Sequence, residues 1–190
     1  RAGALPAPLS VIDERTVDAS LGLDAIESGM KASALAGVVT FVFMVLAYGL
    51  FGVFACIALV VNFILILAAM SMIGAALTLP GIAGLILTIA MAVDANVLIY
   101  ERMREEAAAG RSPALAIDAG FSRAMITIVD ANLTTILSAM ILFQFGAGPV
   151  RGFAWTLSIG VITSVFTAVM VTQILIGWWF RAARPKTMPI

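Results

Sequence analysis

With 62% hydrophobic residues in 190 and only 12% charged, the chain lies far from a soluble domain, where about 45–50% apolar and about 25% charged residues are usual. Eleven basic residues balance eleven acidic ones, which removes the electrostatic case for nucleic acid. A lone cysteine, Cys56, excludes an internal disulfide. The lack of histidine removes the commonest metal ligand and neutral-pH proton relay, so no metal or cofactor is expected and proton chemistry falls to carboxylates.

Residues 1–31 do not form a signal peptide, because Asp13, Glu14, Arg15, Asp18, Asp24 and Glu27 interrupt any apolar core. There is no initiator Met, and the chain reads as the C-terminal piece of something larger. Residues 7–17 (APLSVIDERTV) are strand-like and are expected to end a domain outside the membrane. Leu23, Ile26 and Met30 then recur at helical spacing and predict a short amphipathic helix entering the first span. Residues 1–30 are therefore read as the end of an extracytoplasmic domain with its lead-in helix.

Five apolar runs follow within a bundle expected over 31–181: about 32–48, 54–73, 82–100, 124–145 and 153–180. Each approaches or exceeds the roughly 20 residues that cross a hydrocarbon layer, the first only if it extends toward Met30. Gly49-Leu50-Phe51-Gly52, Leu79-Pro80-Gly81 and Gly146-Ala147-Gly148-Pro149 punctuate them. The loop 101–123 opens with the mixed charges of Glu101 to Glu106. From Ser112-Pro113 it predicts a short helix (Leu115, Ile117, Phe121) along the membrane surface. The expected fold is an all-α, five-helix transmembrane bundle with a short N-terminal strand and helix outside and a tail over 182–190.

Five spans put the two ends on opposite sides. The loop and tail carry seven Lys and Arg residues (Arg102, Arg104, Arg111, Arg123, Arg181, Arg184, Lys186), against Arg1, Arg15, Lys31 and Arg151 on the other side. The positive-inside rule then places loop and C-terminus in the cytoplasm and the N-terminal segment outside. Trp178 and Trp179 beside Arg181 read as an interfacial anchor.

The third run contains Asp94, and the fourth repeats its surroundings. Val93-Asp94-Ala95-Asn96 and Val129-Asp130-Ala131-Asn132 are identical tetrapeptides 36 positions apart. A carboxylate inside a membrane helix costs at least about 2.5 kcal/mol and usually faces a protein interior. Both aspartates lie six residues from the expected cytoplasmic boundary, about 9 Å deep, although a fourth span beginning at Phe121 would place Asp130 deeper. Two level carboxylates in a low dielectric do not comfortably share two charges, which is the condition for carrying a proton. No basic residue inside these spans offers a counter-ion.

Small and weakly polar side chains line the helices. Gly152, Thr156, Gly160, Ser164, Ala168 and Thr172 form an unbroken i, i+4 row, which reads as close packing; Gly84, Thr88, Ala92 and Asn96 make another, and Asp130, Thr134 and Ser138 a third. Asn96 and Asn132 each stand about 200° around the helix from their aspartates and, with Asn62, read as interhelical hydrogen-bonding groups. Asp94 and Asp130 are the candidate proton-transport residues, with Thr88, Asn96, Asn132 and Thr134 as supporting polar groups.

Leu79-Pro80-Gly81-Ile82-Ala83-Gly84, the segment from Met91 to Arg102, Asp130-Ala131-Asn132-Leu133-Thr134-Thr135, and the segment from Phe143 to Phe153 closely resemble the C-terminal membrane half of the SecD family of bacterial protein-export subunits. The resemblance implies half of a pseudo-symmetric twelve-helix membrane domain of the resistance–nodulation–division superfamily. SecF, separate or fused, would be the other half. It implies a multi-pass protein of the inner membrane, working beside the SecYEG channel with SecA and YidC as further partners. Proton flow would help pull unfolded preprotein outward late in translocation. On the same resemblance Asp94 matches the family's transport aspartate and Asp130 a polar position of the next span, and the chain is not an enzyme. The arginines that family models place near the proton path have no clear match here.

Three other readings stand beside it. One is a scaffold that only holds SecF or the channel, and another is an exporter of small molecules or lipids from the same superfamily. An intramembrane aspartyl protease resembles the pattern less, because Ala92-Val93 precedes Asp94 where those enzymes carry Gly-x-Gly.

Overall fold

The computed structural model describes residues 19–75 and 77–185, and every regular element there is helical. The strand expected at 7–17 and Lys186 lie outside the described residues. The helices are α1 (Ala19–Ile73), α2 (Leu79–Ala108), α3 (Pro113–Phe145), α4 (Pro149–Phe166) and α5 (Thr172–Ala183), with a π turn, Thr167–Val171, joining the last two. Four runs among these residues are long and apolar enough to cross a membrane: Ile26–Ile73, Leu79–Ala108, Pro113–Phe145 and Pro149–Ala183.

A straight helix of α1's 55 residues would reach about 80 Å, far beyond the roughly 30 Å of hydrocarbon. It does not run straight. Gly49 adopts φ 54° and ψ −123°, backbone open to glycine and hostile to a side chain. Beyond it the chain folds back: the Cys56 thiol lies 4.0 Å from the Phe41 carbonyl, although fifteen residues separate them. Gly52 lies so close to the Met44 backbone that a Cβ would not fit.

Prolines and caps set the other starts. Thr78 caps α2 by accepting the Gly81 N–H at 3.2 Å, and its hydroxyl donates to the Pro149 carbonyl, also at 3.2 Å. The α2 and α4 N-termini are therefore tied together, and the two helices run parallel. Their small-residue rows meet. Thr156 packs on Gly84 and Thr88 on Gly160, with Ala92, Asn96, Ser164 and Ala168 buried further along. At the opposite end Tyr48 donates to Glu101 at 3.0 Å, and the Arg104 guanidinium stands 5.4 Å above the Tyr48 ring. That end holds the largest core cluster, in which Phe51 sets its ring edge-on to Tyr100 and Trp179, each with centroids 5.4 Å away.

α3 differs from expectation at its start. The helix predicted to lie on the membrane surface from Pro113 continues without a break through Ala124 to Phe145. Ala116, Gly120, Ala124 and Ile128 form one buried i, i+4 stripe, with Gly120 against Met103 of α2, and this packing holds the segment in line with the span. At 33 residues, about 50 Å, α3 is too long for the hydrocarbon alone.

The charges at this end are more than a solvated helix terminus. Glu106 is 3% exposed and bridges Arg111, at 2.8 Å, and Arg123, thereby closing the α2–α3 turn. Its partners are half open to solvent, so losing one guanidinium is expected to cost about 1 kcal/mol. Arg111→Met together with Arg123→Met strands the buried carboxylate and is expected to cost about 3 kcal/mol. Thermal unfolding of the intact protein in detergent checks this, with Glu106→Gln added to the double variant expected to restore most of the loss.

Candidate functional site

Asp94 sits in the middle of α2, and the helix faces divide its neighbours sharply. Ala92, Ala95, Asn96 and Ile99 turn inward and are buried, whereas Asp94 is exposed. The interior position expected for its carboxylate is not supplied by the described residues. The reason is phase: the inward stripe of α2 is set by the small residues that meet α4, and Asp94 falls about 200° from both Ala92 and Asn96. Asp130 is likewise exposed on α3, with Thr134 and Ser138 one and two turns further along the same outer face. Among the described residues neither aspartate makes an ion pair.

Behind Asp94 the helix is anchored. Asn96 is 2% exposed, its Nδ2 donates to the Ala92 carbonyl at 3.0 Å, and its Oδ1 accepts the Thr172 hydroxyl at 2.7 Å. This bond spans from α2 to the start of α5. Thr88, fully buried, donates to the Gly84 and Leu85 carbonyls at 3.0 and 2.8 Å. The hydroxyls and amide of α3 stay on their own helix: Thr134 donates to Asp130 O at 3.2 Å, Ser138 to Thr134 O at 3.0 Å, and Asn132 Nδ2 to Ile128 O at 2.7 Å. The structure thus joins Asn96 to Thr172 and packs Thr88 beside Gly160, while it leaves Asp94, Asp130 and Thr134 on outward faces.

The π turn has a geometric role. A row at i, i+4 drifts about 40° per step on a regular α-helix, so Thr172 would rotate about 160° away from Thr156. Five residues wound as a π turn slow that rotation, and Thr167, Ala168 and Thr172 all remain buried on the seam. Asn62 belongs to the second limb of α1, between the levels of Phe51 and Ile66. It is fully buried, and neither amide atom has a hydrogen-bond partner among the described residues.

Sequence reasoning missed Glu106 as a buried group. A signal was present, since Asn96, Ile99, Met103 and Glu106 continue one helical stripe. It also assigned Thr172 to packing alone, where its hydroxyl is the donor that crosses to Asn96. No group of three or more His, Cys, Asp or Glu able to hold a metal occurs among the described residues. An exposed carboxylate on an apolar helix is costly in a bilayer unless something else shields it from lipid.

Comparison with known proteins gives the chain's family. Residues 5–182 match the family model for the protein export membrane protein SecD/SecF, C-terminal. The protein translocase subunit SecD of Rhodobacter capsulatus is 53% identical over 190 residues, all of this chain and 34% of that protein. SecD of Syntrophobacter fumaroxidans is 52% identical over 190 residues, again all of this chain and 36% of that protein. SecDF of Brucella abortus is 50% identical over 189 residues, 25% of its length. The crystal structure of SecDF, a translocon-associated membrane protein from Thermus thermophilus, superposes with a TM-score of 0.85 at 40% identity, over 88% of this chain and 24% of that one. The chain spans about a third of the length of the SecD relatives it matches. It belongs to the SecD/SecF C-terminal family of protein-export membrane proteins.

Proposed function

We propose that this chain is the proton-responsive membrane half of a Sec protein-export subunit, and that it helps move unfolded preprotein outward at a late stage of translocation. The observation that carries the reading is the placement of Asp94. Its carboxylate lies midway along an apolar helix, on a face the described residues leave open, with the helix held from behind by Asn96 and Thr172. A SecF-type half of the same membrane domain is the cover this requires. SecYEG, SecA and YidC are the further partners, in the bacterial inner membrane.

In this scheme Asp94 takes a proton from the outer side, stays neutral while the helices rearrange, and releases it inward. Asp130 stands on the neighbouring helix as a second acceptor along the path. Entry of one proton under 100 mV supplies about 2.3 kcal/mol, which biases two conformations about fiftyfold. Five crossings, with the N-terminal segment outside and the C-terminus in the cytoplasm, fit the reversal at Gly49. They also fit the ties Tyr48–Glu101 and Thr78–Pro149 at opposite ends of the bundle.

The test is proton movement by the intact complex in vesicles carrying a pH-reporting dye. Imposing a membrane potential is expected to drive proton uptake faster than in protein-free vesicles. Equal rates would leave only a scaffold.

A further inference from the structure

A cavity of about 560 Å³ lies between the first turns of α3 and the face of α5 that leads to the bundle end. Ile117 and Ile174 supply apolar walls, and Asp118 and Arg181 line it with opposite charges. Among the described residues neither of these two makes an ion pair, so the cavity keeps a carboxylate and a guanidinium apart instead of neutralising them on each other. Trp178 lines the same space and is 70% exposed, as befits an indole at the boundary between lipid and water. At the helix surface Gly177 leaves open room, with no described residue within 4 Å of where its Cβ would lie.

We propose that this groove binds an aminophospholipid, a lipid whose headgroup carries both a phosphate and a primary ammonium. Arg181 takes the phosphate through its fork of N–H donors, and Asp118 accepts hydrogen bonds from the ammonium. An acyl chain runs over Ile117, Ile174 and the notch at Gly177. The charge pair selects among lipids. An anionic headgroup without an amine would set its charge against an uncompensated Asp118, and a quaternary amine has no N–H to donate. The inference needs only that these helices cross a bilayer and is independent of proton transfer at Asp94.

The experiment takes the intact protein reconstituted in nanodiscs of equal phosphatidylethanolamine, phosphatidylcholine and phosphatidylglycerol, then delipidated and weighed by native mass spectrometry. Wild type is expected to retain phosphatidylethanolamine about tenfold over the other two. Gly177→Leu, which fills open room and leaves thermal stability unchanged, is expected to cut the retained lipid about tenfold. Asp118→Asn is expected to keep a bound lipid but lose the preference for the amine. Retention of phosphatidylglycerol or phosphatidylcholine at equal or higher levels would overturn the proposal. So would lipid retention unaffected by Gly177→Leu, or a crosslinker on Gly177→Cys that captures another polypeptide in place of lipid.

Discussion

Asp94→Asn is expected to reduce the part of preprotein export that depends on the proton gradient to the level of membranes lacking the subunit, a loss of at least about tenfold. Asparagine preserves the volume and hydrogen-bonding reach of the side chain but has no titratable proton. The geometry separates chemistry from structure here. Asp94 is exposed, and among the described residues it accepts no hydrogen bond and makes no ion pair, so its replacement leaves the α2–α4 seam intact. Thermal stability of the variant is therefore expected to match wild type. Asp94→Glu keeps a carboxyl one methylene further out and is expected to retain part of the gradient dependence. The measurement is export into inverted membrane vesicles with and without an uncoupler. An Asp94→Asn complex that exports at the full, uncoupler-sensitive rate would remove Asp94 from the proton path. Asp130→Asn is expected to have the smaller effect, since Asp130 lacks the interhelical anchor that fixes α2 behind Asp94.

How far such an outcome could be foreseen from residues alone depends on what each feature needs. The helices are legible because their apolar runs exceed what a soluble helix would carry. The reversal at Gly49 is legible because glycine punctuates an otherwise unbroken run. The α2–α4 seam is legible for a sharper reason. The row from Gly152 to Thr172 marks close packing, whereas the underwound turn at Thr167–Val171 that keeps its far end on the seam is seen only in the structure. The continuous start of α3 was hidden, because Pro113 and the charges of Arg111 and Arg123 read as a surface helix separate from the span. The stripe Ala116, Gly120, Ala124 and Ile128 becomes meaningful only once Met103 is known to face it. The spacing of Asp94 to Asn96 put the two on opposite faces but left open which face turns inward, so the expected interior position of Asp94 was the wrong one of the two.

Gly160→Leu is expected to have the largest effect on stability of any single substitution in the seam. A Cβ at Gly160 would stand 2.6 Å from the Thr88 Cβ and 2.9 Å from its Oγ1. The Cβ of Thr88 is fixed by its backbone, and its hydroxyl is already committed to the Gly84 and Leu85 carbonyls, so no rotamer change relieves the overlap. The helices must part. In a bilayer that loss is hard to offset, because lipid competes well for apolar side chains and close backbone approach is itself the source of affinity. A cost of about 3 kcal/mol is expected for leucine, the upper end of what overpacking usually brings, and about 2 kcal/mol for Gly160→Ala. Gly177→Ala is the internal control. The same atom enters open space in the following helix, and alanine's helix preference is expected to make it neutral or stabilising by up to about 1 kcal/mol. Adding Thr88→Gly to Gly160→Ala restores the space and is expected to recover more than half of the loss, a coupling that two independent sites would not show. Thermal unfolding of the four variants in detergent decides it. Equal Tm values for Gly160→Ala and Gly177→Ala would mean that α2 and α4 do not meet at Thr88.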